Sequence, residues 1–249
     1  MRVRVEGEGF TKSTPLVFIH GAGGAATVWL DLFRSFERSR RVVAPDLPGH
    51  GQSDPWHDVA DGDRIAQHRD AIGLACSKLA IDAAILVGHS MGGIVALAAA
   101  AAYPDKVKGV VLLGAAAGLA PAPELLVALA ARPAHQAEIM AELGWSPATP
   151  GDTVARWFRT VTGAAPEVTL ADLRGVGAFD AAALLPQVRA RCLLVGGEDD
   201  LLCPPALVHA TAAALRSAEA VLLPDAGHQV HLERPDAVIA AIEGFASFV

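Results

Sequence analysis

The sequence predicts an α/β fold, a mostly parallel central sheet flanked by helices and interrupted by one long helical insertion. Three observations carry this expectation. Short β-branched runs alternate with helical patterns along most of the chain, the order that a parallel sheet requires. The apolar run Ala83-Ala84-Ile85-Leu86-Val87 passes through Gly88-His89-Ser90-Met91-Gly92-Gly93 directly into a small-residue helix that begins Ile94-Val95-Ala96-Leu97. From about Leu119 to about Phe179 the alternation stops, leaving only helical stretches broken at Pro121, Pro123, Pro133, Pro147, Pro150 and Pro166. An insertion of roughly sixty residues between two core strands is too long for a simple loop.

The elements follow in order. Met1 to Glu6 alternates like an edge strand, and it lacks the apolar core of a secretion signal. Strands are expected near 15–20 (Leu16-Val17-Phe18-Ile19), 40–45, 83–88, 107–114, 191–196 (Cys192-Leu193-Leu194-Val195) and 219–223 (Val221-Leu222-Leu223). Helices are expected near 61–79, 91–103, 204–217 and 235–248. The longest nearly apolar stretch, Ile94 to Tyr103, is too short to span a bilayer and reads as a helix buried all round. There is no internal repeat.

Composition agrees. A chain of 249 residues with 52% hydrophobic and 19% charged residues buries a sizeable core. A net charge of −7 without a basic run argues against nucleic acid as a partner. Cys76, Cys192 and Cys203 are an odd, scattered set, as expected of thiols in a reducing compartment rather than of a disulfide framework. The expectation is a cytoplasmic monomer or homodimer without stable membrane insertion.

Chemistry enters at the G-x-S-x-G turn. Between a strand and a helix this turn forms a nucleophile elbow, which strains Ser90 and lifts its hydroxyl above the sheet edge. Gly88 and Gly92 are needed because a side chain at either would strike its neighbours. A nucleophilic serine requires a base and an orienting acid, in the order Ser, Asp or Glu, His. His228 follows the strand at 221–223 on Pro224-Asp225-Ala226-Gly227-His228, and Asp199 and Asp200 follow the strand at 192–195. Asp200 is favoured because it stands three residues after Gly197 and four before Pro204; Asp199 is the alternative. Acyl transfer also needs N–H donors aimed at the developing oxyanion. The backbone N–H of Met91 supplies one, and the loop His20-Gly21-Ala22-Gly23-Gly24 a second, most simply Ala22, with Gly23 the other option. A phosphate-cradling role for this loop is disfavoured, since the lysine of a P-loop and a G-x-G-x-x-G pattern are both absent.

These motifs resemble those of the α/β-hydrolase superfamily, in its group of small single-domain serine esterases with a helical cap. The resemblance covers nearly the whole chain. It rests on HGAGG, on Asp46-Leu47-Pro48-Gly49-His50-Gly51-Gln52-Ser53, on GHSMGG, on Tyr103-Pro104-Asp105-Lys106-Val107, on GEDDLLCP and on AGHQVHLERP. Two departures stand out: Cys203, where a small aliphatic residue is usual, and the doubled Asp199-Asp200. The resemblance implies a core of residues 1–118 and 180–249 and a helical cap of 119–179 over the active site.

Taken together, the sequence reads as a serine hydrolase of small carboxylic esters or related acyl compounds. Ser90 attacks, His228 acts as general base and Asp200 orients it, and no metal or organic cofactor is needed. Gly23, Trp145, Trp157 and Phe158 are candidate substrate contacts, and the Met91 side chain is expected in the pocket. Trp29 and Phe179 are further aromatic candidates. His89, by strand alternation, points away from the nucleophile, while His20 and His50 brace their loops. His228, His231 and Glu233 are close in sequence, but helix-borne HExxH spacing is missing and a metal site is not expected. Ser90 counts strongly against the relatives that use an Asp nucleophile. A hydrolase of carbon–carbon bonds or of lactones remains an alternative, the former weakened by Gln229 where an aromatic residue usually follows the histidine. Perhydrolase or haloperoxidase side activity also stays open. A receptor that binds a small molecule without turnover is the alternative of another class.

Overall fold

In the computed structural model, which describes residues 1–7, 13–54, 63–160 (the last two for their backbone only) and 164–249, seven strands form one sheet. They are β1 (Val3–Glu6), β2 (Leu16–Ile19), β3 (Val42–Pro45), β4 (Ala84–His89), β5 (Val107–Leu113), β6 (Arg191–Gly197) and β7 (Ala218–Leu223). The spatial order is β1-β3-β2-β4-β5-β6-β7. β1 pairs antiparallel with β3, from Val3 opposite Pro45 to Glu6 opposite Val42, and every other pairing is parallel.

Strand periodicity explains why the sheet is covered on both sides. Leu16 and Phe18 face one apolar cluster, while Val17 and Ile19 face the other. On the first side lie α1 (Leu30–Phe36), the short α9 (Val230–Glu233) and α10 (Pro235–Ala246), which contribute Leu32, Phe33, Phe36, Val230, Val238 and Ile242. On the opposite side lie α2 (Arg64–Lys78), α3 (Met91–Ala102) and α8 (Pro205–Ala214). Parallel strands buried on both faces need continuous apolar runs, and β2, β3 and β4 are buried at every position. α3 is buried from Met91 through Ala100, so its run of alanines lets it approach β4 and β5 while α2 packs behind it.

The expected strands all form, within two residues at each end. The helix expected near 204–217 stops at Ala214, because the Ser217 carbonyl already accepts from the Cys192 N–H at the start of the β6–β7 pairing. The first part of the helix expected near 61–79, residues 61 and 62, lies outside the described residues. α1, with the 3₁₀ turn Ala26–Trp29 before it, was not expected; the stripe Trp29, Leu32, Phe33, Phe36 has helical spacing and is the signal that identifies it.

Among the described residues, four α-helices lie between β5 and β6: α4 (Pro123–Ala131), α5 (Gln136–Gly144), α6 (Gly151–Thr160) and α7 (Pro166–Ala178). Leu125, Leu129, Ile139 and Leu173 form a small apolar cluster of their own within this insertion. Among the described residues, no helix is long and apolar enough to cross a membrane.

Candidate active site

The parts of the site sit at the C-terminal ends of β2, β4, β6 and β7, where an open parallel sheet leaves a crevice. Ser90 joins β4 to α3 with φ 53° and ψ −122°, a backbone conformation that costs on the order of 1–3 kcal/mol for a residue with a side chain. Its N–H donates to the Leu113 carbonyl (3.0 Å) and its own carbonyl accepts from the Gly93 N–H (2.8 Å), which holds the turn. The two flanking glycines are enforced by packing. A Cβ on Gly88 would overlap the Gly92 carbonyl, and one on Gly92 would run into the carbonyls of Ile19 and His20.

Asp200 and His228 meet across 28 positions of sequence. Nδ1 of His228 is 2.9 Å from Oδ2 and 3.2 Å from Oδ1 of Asp200, with both side chains buried. An ionised carboxylate only accepts, so Nδ1 carries the proton and Nε2 of the neutral ring is the basic nitrogen. Asp200 is itself held, since Oδ1 accepts from the N–H groups of Leu202 and Cys203, each at 2.8 Å. Asp199 turns elsewhere and accepts from the Ser146 hydroxyl at 2.6 Å. Cys203 is fully buried, and burial, with Asp200 nearby, raises its thiol pKa, so it stays a neutral filler.

The loop carrying His228 is clamped by Glu233, whose carboxylate accepts from the N–H groups of Gly227, Gln229 and Ser146 and from the Thr149 hydroxyl. It is also braced by His89, whose Nε2 is 3.0 Å from the His228 carbonyl. The His89 ring therefore packs beneath the histidine loop, yet it also reaches the cavity at Ser90, which simple alternation did not foresee. Glu233 and His231 have roles of their own rather than a shared one. The His231 ring stacks between Trp29 (4.7 Å) and His89 (4.5 Å), and burial, then the proximity of His228, lowers its pKa to about 3. It is an uncharged aromatic plate.

His20 and His50 brace loops as expected. The Leu47 N–H donates to His20 Nε2 at 3.0 Å, and His20 Nδ1 is 2.8 Å from the Gly21 carbonyl. Burial, then the neighbouring His50, brings the His20 pKa down to about 3. Asp46 accepts from the N–H groups of Ala26 (2.7 Å) and Gln52 (3.0 Å), tying the loop after β3 to the segment after β2.

Two cavities meet at Ser90 and His228. One, of about 500 Å³ and open to solvent, runs past Ala22, Gly23, Val28, Trp157 and Gln229. The other, of about 350 Å³, is lined by Leu119, Pro121, Leu125, Val176 and Leu202. Met140 and Leu173 form the partition and line both. Among the described residues, no lysine or arginine lines either cavity. Ala22 and Gly23 line the larger cavity together with Ser90, and Gly23 takes φ 69° with Thr169 of α7 packed where a side chain would project.

Several side chains stand elsewhere than the sequence suggested. Trp157 lines the larger cavity, but Trp145 and Phe158 pack against its ring, at 5.8 and 4.9 Å, instead of lining either cavity at Ser90. The Met91 side chain is fully buried in the core beneath the elbow, since the first turn of α3 points it at the sheet and not at the pocket. Trp29 is likewise a core residue, packed on Phe18, and Phe179 packs against the core as well. The cavity residues Leu173, Leu125 and Val28 gave no sequence signal beyond being apolar.

A model of the alpha/beta hydrolase family matches residues 16–241, and the chain belongs to that family. Over 105 residues it is 40% identical to the 2-hydroxymuconate semialdehyde hydrolase of Pseudomonas sp. strain CF600, a match covering 41% of this chain and 36% of that protein. The chain thus spans only about a third of the length of the curated relatives it matches. Among solved structures, an esterase from Thermogutta terrifontis superposes with a TM-score of 0.85 at 26% identity, covering 98% of this chain and 92% of that one. The enol-lactonase from Burkholderia xenovorans LB400 superposes with a TM-score of 0.84 at 25% identity, covering 99% and 96%.

Proposed function

We propose that the chain is a serine hydrolase of small, uncharged carboxylic esters. One observation supports this above the rest: a serine in a strained strand-to-helix turn shares its cavities with a histidine whose Nδ1 is held 2.9 Å from a buried carboxylate. In this reading Ser90 Oγ attacks the ester carbonyl while His228 Nε2 takes its proton. The oxyanion is received by the N–H of Met91, at the positive end of α3, and by that of Ala22. Collapse breaks the carbonyl–alkoxy bond, and His228 returns the proton to the departing alcohol. Water, deprotonated by His228, then attacks the acyl-enzyme; the carboxylic acid leaves and Ser90 recovers its proton. Residues 1–118 and 180–249 would form the catalytic core, with 119–179 as a cap that shapes the pocket.

Cleavage of carbon–carbon bonds is the second reading, favoured by the 40% identity to a semialdehyde hydrolase. The apolar side chains of the described walls, such as Val28, Leu119, Leu125 and Val176, count against it for anionic substrates, because placing a carboxylate among them is costly. A panel of p-nitrophenyl esters, lactones and dienoate semialdehydes, with Ser90→Ala as the blank, separates these readings. Multiple turnovers on esters and single labelling of the GHSMGG peptide by a small fluorophosphonate are expected. Turnover of the dienoates alone would assign the chain to the second reading. Binding with at most one slow turnover would make it a receptor.

A further inference from the structure

α7 carries an ionised group where its pattern calls for a hydrophobe. Thr169, Asp172, Leu173 and Val176, spaced three and four apart, make up its buried face, and Asp172 is fully buried in the middle of it. Three side chains from the core converge on that carboxylate. Arg64 Nε is 2.7 Å and His68 Nε2 3.1 Å from Oδ1, and His50 Nε2 is 2.9 Å from Oδ2. Arg64 and His68 lie one turn apart on α2, whereas His50 comes from the turn after β3. His50 also forms an isolated β-bridge with Ala164, just before α7 begins. Burial raises the Asp172 carboxyl, but His50 and His68 outweigh it and hold its pKa below the ordinary carboxylate range.

Apolar contacts alone tolerate sliding and rotation of a helix, because one leucine fits where another did. A carboxylate that must meet two directed donors, from Arg64 and His68, with the His50 ring nitrogen close beside its other oxygen, does not. The neighbours of Asp172 on α7 are the ones the cavities depend on: Leu173 stands in the partition beside Ser90, and Thr169 abuts Gly23 in the oxyanion loop. We infer that Asp172 is a specificity-positioning residue, whose buried contacts with Arg64, His68 and His50 fix the register of α7 and so the division of the site at Leu173. This rests on the reading of Ser90 as the nucleophile of an esterase.

The test is Asp172→Asn, with Leu173→Ala and the double variant, assayed on p-nitrophenyl esters from acetate to laurate. For Asp172→Asn, labelling by a small fluorophosphonate and kcat/KM for the acetate should stay within about threefold of wild type. For the chain length that wild type prefers, kcat/KM should fall about tenfold or more, chiefly through KM. Leu173→Ala should shift the same preference, and the double variant should show no further shift, because the two changes act through one wall. Amide exchange should quicken in 166–178 and stay unchanged in β4. An unchanged chain-length profile in folded Asp172→Asn, or equal losses on every ester, overturns the inference. Unchanged exchange in 166–178 overturns it too, whatever the esters show. Should Asp172→Asn fail to fold, His68→Gln and His50→Gln each remove one partner and must move the profile; unchanged profiles in both overturn it as well. Failure of wild type to label at Ser90 instead removes the esterase reading, and the exchange experiment still reports on the tether.

Discussion

At the scale of single residues, two adjacent aspartates have opposite fates. Asp200 lies on His228 and is held by two backbone N–H groups, while Asp199 accepts from Ser146, between α5 and α6 of the insertion. In the proposed mechanism, Asp200→Asn removes the acceptor that keeps the His228 proton on Nδ1, and kcat should fall by roughly 10³ to 10⁴, by analogy with other triads. Asp199→Asn loses only a tie between loops and should stay within about tenfold of wild type. Steady-state kinetics of the two purified variants decide the matter. The reverse ranking would transfer the orienting role to Asp199.

The insertion is the element whose parts differ most in what they do. Leu129 is fully buried in its internal cluster, whereas Met140, on the following helix, reaches the partition between the cavities. Leu129→Ala should therefore cost about 2–5 kcal/mol of stability and leave the order of preferred esters unchanged. Met140→Ala should open the partition instead. Each additional methylene then buried is worth about 0.8 kcal/mol, close to a fourfold gain in kcat/KM, so the preferred acyl chain should lengthen. Thermal melts and the ester series together check both. If Leu129→Ala moves the preference as much as Met140→Ala does, the division of the insertion into internal core and cavity wall fails.

The whole molecule has an unusual stock of buried, uncharged histidines. Burial lowers the pKa of His20 and of His231 from 6.5 to about 3, and it lowers those of His68 and His89 as well. Once the chain unfolds, each protonates near 6.5. The unfolded state therefore binds more protons than the native one as pH falls below about 6.5, and stability declines from there towards about 3. His20 and His231 each contribute a slope of about 1.4 kcal/mol per pH unit within that window, and His68 and His89 act in the same direction. At the acid end Asp172 adds to the loss, since the stabilisation from its lowered pKa is complete above the unfolded carboxyl value and declines progressively as pH falls below it. Urea midpoints measured from pH 7.5 to 4.5 should fall steadily. A midpoint independent of pH over that range would mean that these rings are not buried neutral.

Local chemistry made much of this legible in the chain. Strand and helix periodicity gave the alternation of elements, because side chains on two covered faces of a sheet must be apolar in sequence as well as in space. The elbow was legible because Gly88, Ser90 and Gly92 act within one turn, and the order of Ser90, Asp200 and His228 because each follows its own strand. α1 was missed although its stripe of Trp29, Leu32, Phe33 and Phe36 was there to be read. Other features had no local signal at all. Arg64 and Asp172 are 108 residues apart and meet only when α7 lies on α2. Nothing near Met91 states that its side chain enters the core, nor does anything near Trp145 or Phe158 state that they stand behind Trp157. The sheet, the elbow and the order of the candidate triad can be read from the chain, since their constraints act over a few bonds or one strand. Which acid touches His228, which insertion residues face Ser90 and what holds α7 in place emerge with the folded molecule, because those depend on contacts through space between segments distant along the chain.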